Sequence, residues 1–184
     1  MVRLAHLYQF KFGEHFEKYQ DVYFQKVWEI VANNKLSADR ECERLVFAVV
    51  RYLGEAAGLP NYRDFIKSNL QLLFQVLVIP NISLTQQDID EYEDEPHVYL
   101  RNDLEESDSE TRRRHCMKFV QQLSKKFQNE VGTLIGEFFT QFQQEYEQNK
   151  AQQWQKKVAM LNLIITASIS VYTYTHGASE LLID

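Results

Sequence analysis

In residues 131–146 the apolar side chains Val131, Leu134, Ile135, Phe138, Phe139, Phe142 and Tyr146 recur at steps of three and four. That spacing puts them on one face of an α-helix, whereas a strand would need every second residue. The same period returns at Phe24, Val27, Trp28 and Val31, and again at Leu45, Ala48, Val49, Tyr52, Leu53 and Ala56. It appears once more at Cys116, Phe119, Val120, Leu123 and Phe127, and finally at Trp154, Val158, Leu161 and Ile165. Only residues 69–79 are apolar on nearly every side, as a fully buried helix would be. Residues 76–79 alone could read as a strand, but no second strand-like run exists to pair with them. With three Pro and six Gly in 184 residues, the connections between helices must be short.

Local signals divide the chain. Residues 2–18 and 19–32 read as two helices, followed by a turn at 33–35 and an N-cap at Ser37. The next helix stops before Gly58-Leu59-Pro60, and 61–68 form a short helical or turn segment. Pro80 is expected to end the apolar helix. Thr85, with Asp88 three residues on, opens a helix to about residue 92. Pro96 sits in the first turn of another over 97–104, and 105–109 form a loop. Helices are then expected over 110–127, 130–148 and 152–170, with a break at Asn129 and a frayed tail from Tyr172. The first helices of successive pairs start near residues 2, 38, 109 and 150, close to the ≈ 40–47-residue period of HEAT and armadillo repeats except for one double step. The expected fold is all-α: a HEAT-repeat solenoid of about four helix pairs. One array segment would fill 1–184, with a charged, partly helical insertion at about 82–109.

Composition narrows function. A net charge of −6 argues against nucleic acid as a partner, because phosphate binding needs clustered Lys and Arg. Residues 158–174 are too short and too polar for a confident membrane span, so no membrane insertion is expected. Cys42 and Cys116 sit at helical spacing among apolar neighbours and read as small reduced core residues. The five histidines lack the short spacings of a metal site, and no glycine-rich phosphate loop is present. Gly132 and Gly136, four apart, are expected to permit close helix packing. No catalytic constellation is visible, so neither an enzyme, nor a cofactor, nor a metal is expected.

The most distinctive stretch runs from 91 to 114, EYEDEPHVYLRNDLEESDSETRRR. Its acids, led by Glu91, Glu93, Asp94 and Glu95, would attract a basic partner, or simply keep the chain soluble. Arg112, Arg113 and Arg114 then open a helix at the end where its dipole disfavours positive charge. Pairing with Asp103, Glu105, Glu106 or Asp108 across the loop is the simplest offset.

Here the sequence resembles the importin-beta (karyopherin) superfamily, in its branch of exportins that return importin-alpha from the nucleus. The resemblance rests on the acidic run and proline Glu93-Asp94-Glu95-Pro96, on Tyr99-Leu100-Arg101-Asn102-Asp103-Leu104-Glu105-Glu106-Ser107-Asp108, and on Glu110-Thr111-Arg112-Arg113-Arg114. Val78-Ile79-Pro80-Asn81 before it and Trp154-Gln155-Lys156 after it also match. Asn102 stands where the family usually has Arg, and Glu106 where it has Gly. Related import receptors lack the Glu-Ser-Asp…Thr-Arg-Arg-Arg continuation. The resemblance implies a right-handed solenoid that binds Ran-GTP and importin-alpha together, shuttles between nucleus and cytoplasm, and catalyses nothing itself. Nuclear-pore proteins are further partners of such receptors. It implies a partner-binding set of Glu91, Glu93, Asp94, Glu95, Arg101, Asp103, Glu105, Asp108, Arg112, Arg113 and Arg114. The competing readings are a structural helical-repeat scaffold, or an import receptor with another cargo.

Overall fold

The computed structural model describes residues 13–33, 36, 40–104, 111–150 and 152–176. These form helices α1 (Gly13–Ala32), α2 (Arg40–Ala56), α3 (Pro60–Ser68) and α4 (Leu70–Leu73). A wide π-helical turn (Phe74–Val78) leads to α5 (Ile79–Ile82), then α6 (Gln86–Asp94) and α7 (Pro96–Leu104). The remainder is α8 (Arg112–Lys126), α9 (Gln128–Gln148) and α10 (Trp154–His176). No strand occurs among the described residues.

Two layers stack. Helices α2, α8 and α10 pack side by side in that order, each on the next. Behind them lie α1, the rod formed by α4, the π turn and α5, and then α9. The stacked helices are those expected to open successive pairs, so the fold is the HEAT-like solenoid that the spacing implied. Its core is continuous: Leu53, Phe74, Leu77, Phe119 and Leu123 are all fully enclosed, and the rings of Phe74 and Phe138 stack at 6.1 Å across the second layer. By contrast, α6 and α7 make their main contacts with each other and form an arm beside the array.

Several boundaries differ from those expected. Helix α1 runs unbroken through residues 18 and 19, because nothing there removes a backbone donor. The residues before Gly13, and Ser37, lie outside the described residues. Pro80 does not end its helix. Upstream of it the ladder widens, with the Ile79 N–H donating to the Phe74 carbonyl five residues back. A widened turn makes room for a ring that would otherwise clash with the carbonyl four residues earlier. The α8–α9 corner falls at Phe127 rather than Asn129. Phe127 leaves helical geometry at φ −136, ψ 51 because its buried ring anchors the corner. Lys126 reaches the Gly54 carbonyl at the end of α2 (2.7 Å), and Arg63 reaches the Lys126 carbonyl (3.3 Å). Both cations thus cap helix C-termini, where the dipole favours them.

Two side-chain expectations also change. A Cβ at Gly132 or Gly136 would meet nothing within 4 Å; both lie on the exposed face of α9 and bring no helix close. On α10 the buried face is Ala159, Met160, Leu163 and Thr166, while Trp154, Leu161 and Ile165 are exposed. The helix is apolar on both sides, so periodicity alone could not choose. It runs through His176 instead of ending at Ser170. No single helix among the described residues is long and apolar enough to cross a membrane.

Candidate functional site: an acidic arm and its clasp

The arm starts from a capping box. The Asp88 N–H donates to Thr85 Oγ1 (3.2 Å), and the Thr85 N–H donates to Asp88 Oδ2 (2.6 Å). Two orphan donors of the first turn of α6 are thereby satisfied. The Thr85 hydroxyl also donates to Asp88 Oδ2 at 2.7 Å. Pro96 opens α7, and Tyr92 and Tyr99 meet edge to face at 5.7 Å across the hairpin.

Arg112, at the first turn of α8, closes on this box. Its guanidinium donates to the Asn81 carbonyl (3.0 Å), to the Ser83 carbonyl (3.4 Å) and to Thr85 Oγ1 (3.3 Å), and it forms an ion pair with Asp88. Arg113 donates to the Tyr99 hydroxyl at 3.1 Å and lies 3.7 Å from the other Asp88 oxygen. One carboxylate therefore holds both arginines, and through them both helices of the arm. Burial pushes the Asp88 carboxyl up. The Thr85 hydrogen bonds, then Arg112 and Arg113, outweigh it and hold it below its ordinary value. The unfavourable positive start of α8 is further offset by Glu43, which accepts from the Arg112 N–H at 3.2 Å, and by Thr111, which accepts from the Arg114 N–H at 3.3 Å.

Sequence reading expected Arg112, Arg113 and Arg114 to pair with Asp103, Glu105, Glu106 or Asp108. Among the described residues Arg112 and Arg113 pair with Asp88. Glu105, Glu106 and Asp108 lie outside the described residues, as does the side chain of Asp103. Asp88 carried a signal, the Thr85-x-x-Asp88 box, but it was legible only as a cap. Asn81, Ser83 and Glu43 contribute from elements distant in sequence and carried none. Arg112 and Arg113 are 7% and 8% exposed, so both are interior groups. Arg114 is half-buried, and Arg101 is exposed in the last turn of α7.

The acids lie elsewhere. Glu91 is half-buried and accepts from Gln87 at 3.2 Å; Glu93, Asp94 and Glu95 are exposed where α6 gives way to α7. Glu91, Glu93 and Asp94 thus occupy the last turn of α6, which holds no basic residue. Carboxylates there face the negative end of the α6 dipole, while Asp94 and Glu95 also precede the first turn of α7, where its dipole favours them. Among the described residues no group of three or more metal-ligating side chains is placed to hold a metal ion.

The Cse1 family model matches residues 1–183. Similar proteins include Exportin-2 of Drosophila melanogaster, 28% identical over 177 residues, which is 95% of this chain and 18% of that protein. Exportin-2 of Homo sapiens is 26% identical over 96% of this chain and 18% of its own length. Exportin-2 of Dictyostelium discoideum is 30% identical over 90% of this chain and 17% of its own. A solved structure of the exportin Cse1 in its cargo-free, cytoplasmic state superposes with a TM-score of 0.81 at 24% identity, covering 90% of this chain and 18% of that one. The chain therefore spans under a fifth of the length of the relatives it matches.

Proposed function

We propose, from the premise that this chain belongs to the Cse1 family, that it is a segment of a nuclear transport receptor that exports importin-alpha from the nucleus with Ran-GTP. Such a receptor shuttles between nucleus and cytoplasm. In this reading the segment supplies a rigid double layer and an arm. The arm's acids form the partner-facing part of the set Glu91, Glu93, Asp94, Glu95, Arg101, Asp103, Glu105, Asp108, Arg112, Arg113 and Arg114. Arg112 and Arg113 serve inside the chain, holding the arm at a fixed angle.

The observation that carries this reading is the exposure of Glu93, Asp94 and Glu95 together at the corner of an arm held by a buried clasp. Like charges gathered at an exposed corner repel one another, so stability alone does not select them. A fixed acidic tip meets a basic patch mainly through faster encounter, an effect screened over a Debye length of ≈ 8 Å at physiological salt. The internal use of Arg112 and Arg113 favours a second reading, in which the whole arm is a brace for the array.

Neutralising Glu91, Glu93, Asp94 and Glu95 together in the full-length receptor separates the two. Recognition predicts slower association with Ran-GTP and importin-alpha in stopped flow at low salt, a flatter salt dependence, and a melting temperature that does not fall. A brace predicts a lower melting temperature with unchanged association rates. Unchanged kinetics at low salt would rule out recognition by these acids.

A further inference from the structure

A second feature lies apart from the arm. Between α1 and α3 a cleft of ≈ 440 Å³ is lined chiefly by aromatic rings, with carboxylates beside them. Phe24 and Trp28, one helical turn apart, hold their rings nearly parallel (9°) at 6.4 Å. Tyr62 stacks on Phe24 at 4.3 Å. Phe65 stands edge-on to both, 5.4 Å from Phe24 and 4.9 Å from Trp28. Phe65 is 42% exposed, although two other rings pack against it.

Asp21 and Glu29 border these rings. One Asp21 oxygen accepts from the Tyr62 hydroxyl at 2.7 Å, and no cation pairs with Asp21 among the described residues. Burial and this bond push the Tyr62 phenol upward, so it stays a donor and holds the carboxylate against the rings. Among the described residues Glu29 pairs with exposed Lys26, at 2.9 Å, a contact that exchanges readily with water. Aromatic faces attract cations through their quadrupole. A guanidinium adds a flat face that stacks and a fork that matches a carboxylate. An anionic or nucleic-acid ligand would meet Asp21, Glu29 and a chain of net charge −6.

We propose that the α1–α3 cleft docks an arginine side chain carried by a basic peptide segment of a partner protein, with the guanidinium against the aromatic lining and its charge met by Asp21. This site is independent of the arm and of the proposed transport role.

Trp28 reports on it directly. In the Trp154→Phe chain, whose replaced ring lies outside the cleft, Trp28 is the remaining tryptophan. Titration with a capped arginine hexapeptide should shift its emission saturably. A capped lysine hexapeptide of equal charge should bind about three- to tenfold more weakly. Asp21→Asn keeps an acceptor for Tyr62 and should weaken arginine binding about tenfold; Phe65→Leu should weaken it about threefold or more. Equal affinities for the two peptides would reduce the effect to diffuse attraction by an acidic chain and overturn the proposal. An unresponsive Trp28 would overturn it too. So would emission that changes with protein concentration alone, since a second copy would then fill the cleft.

Discussion

Replacing Asp88 with Asn keeps the side chain's shape and removes its charge. Arg112 and Arg113 would then remain largely buried without their shared counter-ion, at an expected cost of about 2–4 kcal/mol by urea unfolding. The sign of the pH dependence follows from the depressed carboxyl. A group held low in the folded state contributes stability above its unfolded value and loses it as pH falls through the folded one. Stability should therefore drop below about pH 4, and Asp88→Asn should flatten that acid limb. It should not abolish it, because Glu145 is also held low, first by its bond from Lys156. In α9, Phe138 is 6% exposed while Phe139 is only partly buried at the core's edge. Phe138→Ala should cost about 3–5 kcal/mol and Phe139→Ala clearly less. Equal losses would mean that the face of α9 is turned. The sequence put both rings in one stripe; only packing against Phe74 separates them.

Among elements, the arm is the one with a separable stability. Thr85→Ala removes the cap of α6 and one acceptor for Arg112, a loss of about 1 kcal/mol. Amide exchange should quicken in α6 and α7 while α9 keeps its protection; uniform quickening would show that arm and array unfold as one. Element type was legible almost everywhere in the sequence, because helical period, Thr85, Pro96 and Pro60 act locally. What escaped was decided by contacts distant in sequence. The α8–α9 corner depends on where Phe127 is buried, the face of α10 on which neighbours it meets, and the clasp on Asn81 and Asp88 approaching Arg112 from another element. The acidic tip was visible as charge, but its position against the dipole of α6 needed the helix end to be known.

For the whole molecule, the two thiols give a direct measure of global opening. Cys116 lies fully buried in the first layer, and burial pushes its thiol up to about 12, against a smaller opposing pull from Arg112. Cys42 is half-buried. Native protein should therefore take one equivalent of a thiol reagent promptly, at Cys42, and the second only at the rate of global unfolding. Prompt double labelling would contradict the enclosed layer. The wide turn at Phe74–Val78 has a genetic consequence. It holds one residue more than a regular helix would use over the same rise, so removing a single codon within it takes out the surplus residue and leaves the rise and phase of the rod nearly unchanged. A deletion in a regular helix swings everything downstream by about 100°; here the Asn81 and Ser83 carbonyls would keep their approach to Arg112, and the cost would fall on the Pro80 ring, returned to a collision with the turn before it. A three-base deletion there should strain the rod locally at Pro80 while the arm stays clasped, a lighter penalty than the same deletion in the middle of α9, which would turn half of its buried stripe to solvent.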